Sequence, residues 1–175
     1  MNPREHPELE AFLSSLEAGR RMSGEVAAIE RFGVFVKLDE GPDHPVFPGV
    51  GFVTIPELTW RYIDAAGDVV RVGQRVTTEF LQYDTSNMEA RLSLRATQPD
   101  PFQAFADKSA VGQQMRGQVT KVVPIGVFVR VADGIEGLVH EQDLTSAPLV
   151  GDEITVVITE IDRVLRRLRL ASGRG

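Results

Sequence analysis

Gly126-Val127-Phe128-Val129-Arg130-Val131 is strand-like, and it occurs twice: its copy is Gly33-Val34-Phe35-Val36-Lys37-Leu38, at an offset of 93 (126 − 33). In extended chain, alternate side chains take opposite faces. Val127, Val129 and Val131 therefore share one face, as do Val34, Val36 and Leu38 in the earlier copy. An aliphatic face of this kind belongs to a core. Phe128 with Arg130, and Phe35 with Lys37, fall together on the other face. The expectation is an outward aromatic ring beside a cation, twice. The alternative for both rings is packing under a loop or against an interdomain helix.

Outward from this stretch the duplication continues. From residue 8 to 38, ten positions are identical at the same offset without a gap, among them Phe12/Phe105, Gly19/Gly112, Gly24/Gly117 and Val26/Val119. The offset then falls to 86 at Gly51/Gly137 and to 78 at Gly73/Gly151 and Asp84/Asp162. The first copy thus has longer loops before and after its third strand, and the chain reads as two like units. Leu9, Phe12, Leu13 and Leu16 form one helical stripe after Pro7, which predicts a helix over 7–18 ending near Gly19. Strand-like runs follow at 24–32, 33–38, 51–58, 74–84 and 91–95. In the last run, Leu92 and Leu94 point inward while Arg91, Ser93 and Arg95 share the outer face. Trp60 and Tyr62 are expected to close the long loop over the core. A join carrying Phe102, Phe105 and Ala106 at helical spacing leads to strands at 117–124, 126–131, 134–140, 154–162 and 167–170. Short strands with glycine turns in this number make a small all-β barrel. The predicted organisation is a helix over 1–21, a repeat over 22–97, a helical linker over 98–114 and a second repeat over 115–175.

Composition narrows the function. The 175 residues are 42% hydrophobic and 25% charged, as in a folded soluble protein. Without cysteine there are no disulfides or thiolate metal sites, and three scattered histidines argue against a metal cluster, so no cofactor is expected. The charged N-terminus and the lack of a long apolar run predict a cytoplasmic chain away from membranes. The net charge is −6, but residues 115–175 hold eight basic and eight acidic side chains, so the deficit lies in 1–114. A polyanion would therefore be met by a local face. No nucleophile–base pair or phosphate-binding glycine loop is present, and a non-enzymatic role is expected. Asp39-Glu40 and Asp152-Glu153 read as solvated loop surface.

At these residues the chain resembles the S1-type RNA-binding domain, an OB-fold module. The resemblance rests on Gly-x-Val at Gly24 and Gly117, Phe/Ile-Gly-Val-Phe-Val, Gly137-Leu-Val-His140, Val-Gly at 72–73 and 150–151, Asp84 and Asp162, and Arg-Leu-x-Leu at 91–94 and 167–170. Pro101-Phe-Gln-Ala-Phe-Ala and Trp60 are similar to the multi-repeat ribosomal members. The fold it implies is all-β: two five-stranded OB-fold barrels, each preceded by a short helix. It also implies that bases stack on the aromatics of Phe-Gly-x-Phe and on the histidine after Gly-Leu-Val, beside a basic residue of the last strand. The first repeat supplies Phe32, Phe35 and Arg91, with Thr54 in place of the histidine; the second supplies Phe128, His140 and Arg167, with Ile125 at the first aromatic. Lys37, Arg130 and Arg169 complete the candidate set. The chemistry agrees, since any base offers a π-face worth about 1–3 kcal/mol on an aromatic and a nearby cation takes the phosphate. The dull alternatives are that Phe32 caps its barrel, that His140 is a plain loop residue and that the arginines only solvate a strand face.

The expected partner is single-stranded RNA, messenger RNA in particular, with the ribosome second and the chain a monomer. A different class of reading is a protein-interaction module, whose acidic first half docks on the ribosome or an RNA-processing enzyme while only the second repeat touches RNA.

Overall fold

Glycine makes the doubled stretch possible. Gly126 has φ +155°, and a Cβ there would lie 2.0 Å from the Val139 carbonyl oxygen; a Cβ on Gly33 would lie 2.3 Å from Phe52 Cζ. The hairpin ahead of each copy therefore presses directly on the third strand of its own sheet, and no side chain fits between. In the computed structural model, which describes residues 1–174, these contacts begin two closed barrels.

The chain divides between Pro99 and Asp100 into two units. The first holds α1 (Pro7–Ser14), β1 (Arg21–Glu30), β2 (Gly33–Leu38), β3 (Gly51–Thr54), β4 (Arg75–Asp84) and β5 (Glu89–Ser93). The second holds α2 (Pro101–Asp107), β6 (Gln114–Val123), β7 (Gly126–Ala132), β8 (Ile135–His140), β9 (Glu153–Asp162) and β10 (Arg167–Ser172). In the first barrel the strands run β1-β2-β3-β5-β4 around the circuit, and the second repeats this order. Among the described residues only the β3–β5 and β8–β10 pairings are parallel. Each first strand bulges at the same place, between Val26 and Ala28 and between Val119 and Lys121, which adds the twist a small barrel needs to close.

Val34, Val36 and Leu38 enter the first core with Val26, Val53 and Leu92; Val127 and Val129 enter the second with Val119, Val139 and Leu170. Each such side chain stabilises its unit by roughly 1.5–3 kcal/mol relative to exposure. Leu9, Leu13 and Leu16 complete the first core, as their spacing predicts. The helix itself stops four residues short of the predicted end. The Ser15 amide already turns back to the Ala11 and Phe12 carbonyls, and its hydroxyl donates to the Phe12 carbonyl at 2.6 Å. Tyr83 donates to Glu10 on α1, and burial pushes its phenol up to about 12. On the second unit Asp100 caps α2 by accepting from the Phe102 amide at 2.9 Å, and Phe102 is buried.

The barrels differ most between their second and third strands. The β2–β3 connection spans twelve residues, 39–50, whereas β7 and β8 are joined by Asp133-Gly134 alone. The longer loop is folded around a buried histidine. His44 Nδ1 accepts from the amides of Val46 (3.1 Å) and Phe47 (2.9 Å), which leaves Nε2–H to donate to the Asn87 carbonyl at 2.8 Å. That last bond fastens the loop to the β4–β5 turn. In the other long connection Leu58 is fully buried, and Trp60 donates to the Gln98 carbonyl at 3.3 Å with the Arg95 guanidinium 4.4 Å from its ring. Tyr62 is 93% exposed and closes nothing, contrary to expectation. Among the described residues no helix is long and apolar enough to cross a membrane.

Candidate nucleic-acid interface

Strand register decides which outward side chains become neighbours. In the second unit Phe128 pairs with Leu138, and Leu138 with Arg169, so the three form one row across β7, β8 and β10. His140 and Arg167 each stand two residues along from this row on the same face. These side chains, with Ile125 and Leu165 at the rim, line a groove of about 760 Å³. Phe128 and His140 are half-buried, while Arg167 and Arg169 are exposed. Arg169 Nη2 lies 3.1 Å from His140 Nε2, and since a guanidinium only donates, the ring nitrogen is the acceptor in this pair. The Glu160 carboxylate lies 3.8 Å from the same arginine. Arg167 has no ion-pair partner among the described residues. Arg130 shares the face but donates to Gln118 at 3.0 Å and lies outside the groove lining.

The same row in the first unit is Phe35–Phe52–Arg91, and it is covered. Phe35 is 6% exposed, which corrects the expectation of a presented ring. Its side chain does point away from the barrel interior, but the long loop lays Phe47 on it at 5.4 Å, and Phe52 meets it edge-on at 5.0 Å. Phe52 is 4% exposed. Phe32, stacked on Phe52 at 5.7 Å and 63% exposed, is the aromatic this face offers to solvent. Arg91 lies 4.8 Å over the Phe52 ring and donates to Asp84 at 2.7 Å. That hydrogen bond holds the Asp84 carboxyl below the usual carboxylate range. Lys37 is exposed at the mouth of a depression formed with the His44–Phe47 loop.

The pairings also correct the match between the two last strands. Arg-Leu at 91–92 aligns by eye with 167–168, but Arg91 faces Gln82 and Phe52, while Arg169 faces Glu160 and Leu138. Arg169 is therefore the counterpart of Arg91, and Arg167 stands where the first unit has Glu89. Met88 and Arg166, both with φ +53°, mark the same turn position and keep the offset at 78. Arg167-Leu-Arg-Leu170 repeats itself every two residues, so its sequence fits either register.

Phe47, Phe52 and Glu89 are absent from the sequence-based candidates. Alternation in Gly51-Phe52-Val53-Thr54 already puts Phe52 opposite the buried Val53, so its outward position was readable. Phe47 sits in an irregular loop with no period to read. Glu89 is buried, and burial pushes its carboxyl above the usual range.

The S1 RNA binding domain family matches residues 15–95 and 108–173. The small ribosomal subunit protein bS1 of Mycolicibacterium smegmatis is 42% identical over 91% of this chain and 33% of its own length. That of Neisseria meningitidis is 33% identical over 93% and 29%. The chain thus spans about a third of these relatives. Among solved structures, GSP13 from Bacillus subtilis aligns with 55% of this chain and 74% of its own at 26% identity and a TM-score of 0.39.

Proposed function

The chain belongs to the S1 RNA binding domain family, and we propose that it binds single-stranded RNA by base stacking and arginine–phosphate contacts, without catalysis and with little sequence preference. The observation that carries this reading is the open groove of the second unit. Phe128 offers a π-face, His140 a second flat ring, and Arg167 and Arg169 the cations, all on one barrel wall. Phe32 with Lys37 is the weaker counterpart on the first unit. The named relatives are small ribosomal subunit proteins, which supports a cytoplasmic role tied to translation with the ribosome as a partner; messenger RNA as the strand bound and a monomeric chain complete the proposal.

An NMR titration of the whole chain with short oligouridylate and oligoadenylate tests the proposal. Amides of β7, β8 and β10 should shift with both. Silence in the second unit would refute it.

One observation favours a docking role for the first unit. Its arginines are largely engaged by carboxylates: Arg20 by Glu40, Arg21 by Glu79, Arg75 by Asp39, Arg91 by Asp84 and Arg95 by Glu57. The second unit pairs Arg116, Arg163, Arg166 and Arg169 in the same way, but residues 1–114 also carry the chain's whole net charge of −6, and that surplus of acid attracts phosphate poorly and suits a protein partner better. Removing residues 1–96 separates the roles: RNA binding should survive while ribosome co-sedimentation is lost.

A further inference from the structure

On the last rung before the β4–β5 turn Asp84 faces Glu89; on the same rung of the second unit Asp162 faces Arg167. One register position therefore carries opposite charge in the two barrels, two residues from the arginine both retain, Arg91 or Arg169. In the second unit Arg167 is exposed and lines the groove. In the first, Glu89 is 3% exposed, its carboxylate lies 4.0 Å from Arg91 Nε, and its Oε2 has no hydrogen-bond partner among the described residues. A buried acceptor without a donor opposes folding, so packing gives no reason for an acid at this place. Its neighbour supplies one. Arg91 stands between two carboxylates with its guanidinium over Phe52. The charge a phosphate would meet is cancelled, and a ring a base would approach is occupied.

We infer that the residue at this register, Glu89 in one barrel and Arg167 in the other, selects which barrel accepts the RNA strand. Glu89 sets a second negative charge beside an Arg91 already bound by Asp84 and so closes the first unit's outer face to phosphate, whereas Arg167, with no ion-pair partner among the described residues, adds a cation to the second. The inference rests on the RNA reading above and adds the selector to it.

The test uses the whole chain, an octauridylate and NMR amide shifts assigned to each unit. Wild type should shift in the second unit. Glu89→Gln, which removes the charge and keeps the shape, should bring amides around Phe32 and Arg91 into the response, with affinity there rising about threefold or more. Arg167→Gln should weaken the second unit about threefold. Arg167→Glu, which installs the neutralising acid beside Arg169, should cost about tenfold or more. Position 167 is exposed, so this pair decides even where the buried Glu89 variant does not fold. A silent first unit in a folded Glu89→Gln chain, or equal losses from Arg167→Gln and Arg167→Glu, would overturn the selector while leaving the RNA reading intact. No wild-type shift in either unit would remove both.

Discussion

Truncating the two phenylalanines of the doubled strand should give opposite phenotypes. Phe35 is 6% exposed beneath Phe47 and against Phe52. Removing a buried ring costs about 3–5 kcal/mol, from a unit whose total stability is on the order of 5–15 kcal/mol. At about 4–8 °C per kcal/mol, Phe35→Ala should lower the first unit's melting midpoint by more than about 10 °C. Trp60 is the one tryptophan in the chain and belongs to that unit, so its fluorescence follows this transition alone. Phe128 is half-buried and needs no roof. Phe128→Ala should leave hydrogen exchange of the second unit's β7–β8 amides unchanged and remove one stacked base, worth about 1–3 kcal/mol or about 5- to 150-fold in Kd. Anisotropy of a labelled oligouridylate at 20 °C in low salt reads that loss. Phe35→Ala, where still folded, should bind nearly as wild type. If Phe128→Ala binds like wild type, or if Phe35→Ala loses affinity with an unchanged melt, the assignment of open and covered faces is wrong.

Gly126→Ala should unfold the second unit, because its Cβ would sit 2.0 Å from a backbone oxygen, at a cost above about 3 kcal/mol; hydrogen exchange of β7–β8 amides that stays slow would contradict this. Titration of the first unit should show two opposed carboxylates. Asp84, lowered by Arg91, contributes stability present above its unfolded pKa and lost as pH falls through the lower folded value. Glu89, raised by burial, contributes stability present below its unfolded pKa and lost as pH rises through the folded one. Glu89→Gln should therefore stabilise the Trp60 transition more at pH 7 than at pH 4, and an equal effect at both would count against the buried charge. Three arginines line the groove, so log Kd against log salt should have a slope of about 2 or less in magnitude; a slope near 6 would place most of the binding elsewhere.

Period-two alternation in the doubled strand was enough to place Val34, Val36, Val127 and Val129 in two cores, and the glycine spacing was enough to count the strands. Alternation also put Phe128 outside, where it lies. It put Phe35 outside too, and by direction that is correct, but direction is not exposure. What covers Phe35 is a loop whose position depends on His44 reaching Asn87, 43 residues away, and no local pattern encodes such a bond. The counterpart of Arg91 is ambiguous in the sequence for a different reason: a strand written Arg-Leu-Arg-Leu looks the same after a slip of two, and only its hydrogen-bonded neighbours break the tie. Nothing in the residues around Tyr62 tells a covered tyrosine from an exposed one, and it is 93% exposed.

In both barrels every strand has a neighbour on each side. A sheet with a free margin can extend into another molecule, and duplicating it along one polypeptide multiplies the places where chains stick together. A ring has no margin. A gene carrying such a module can therefore be lengthened by further copies without seeding fibres.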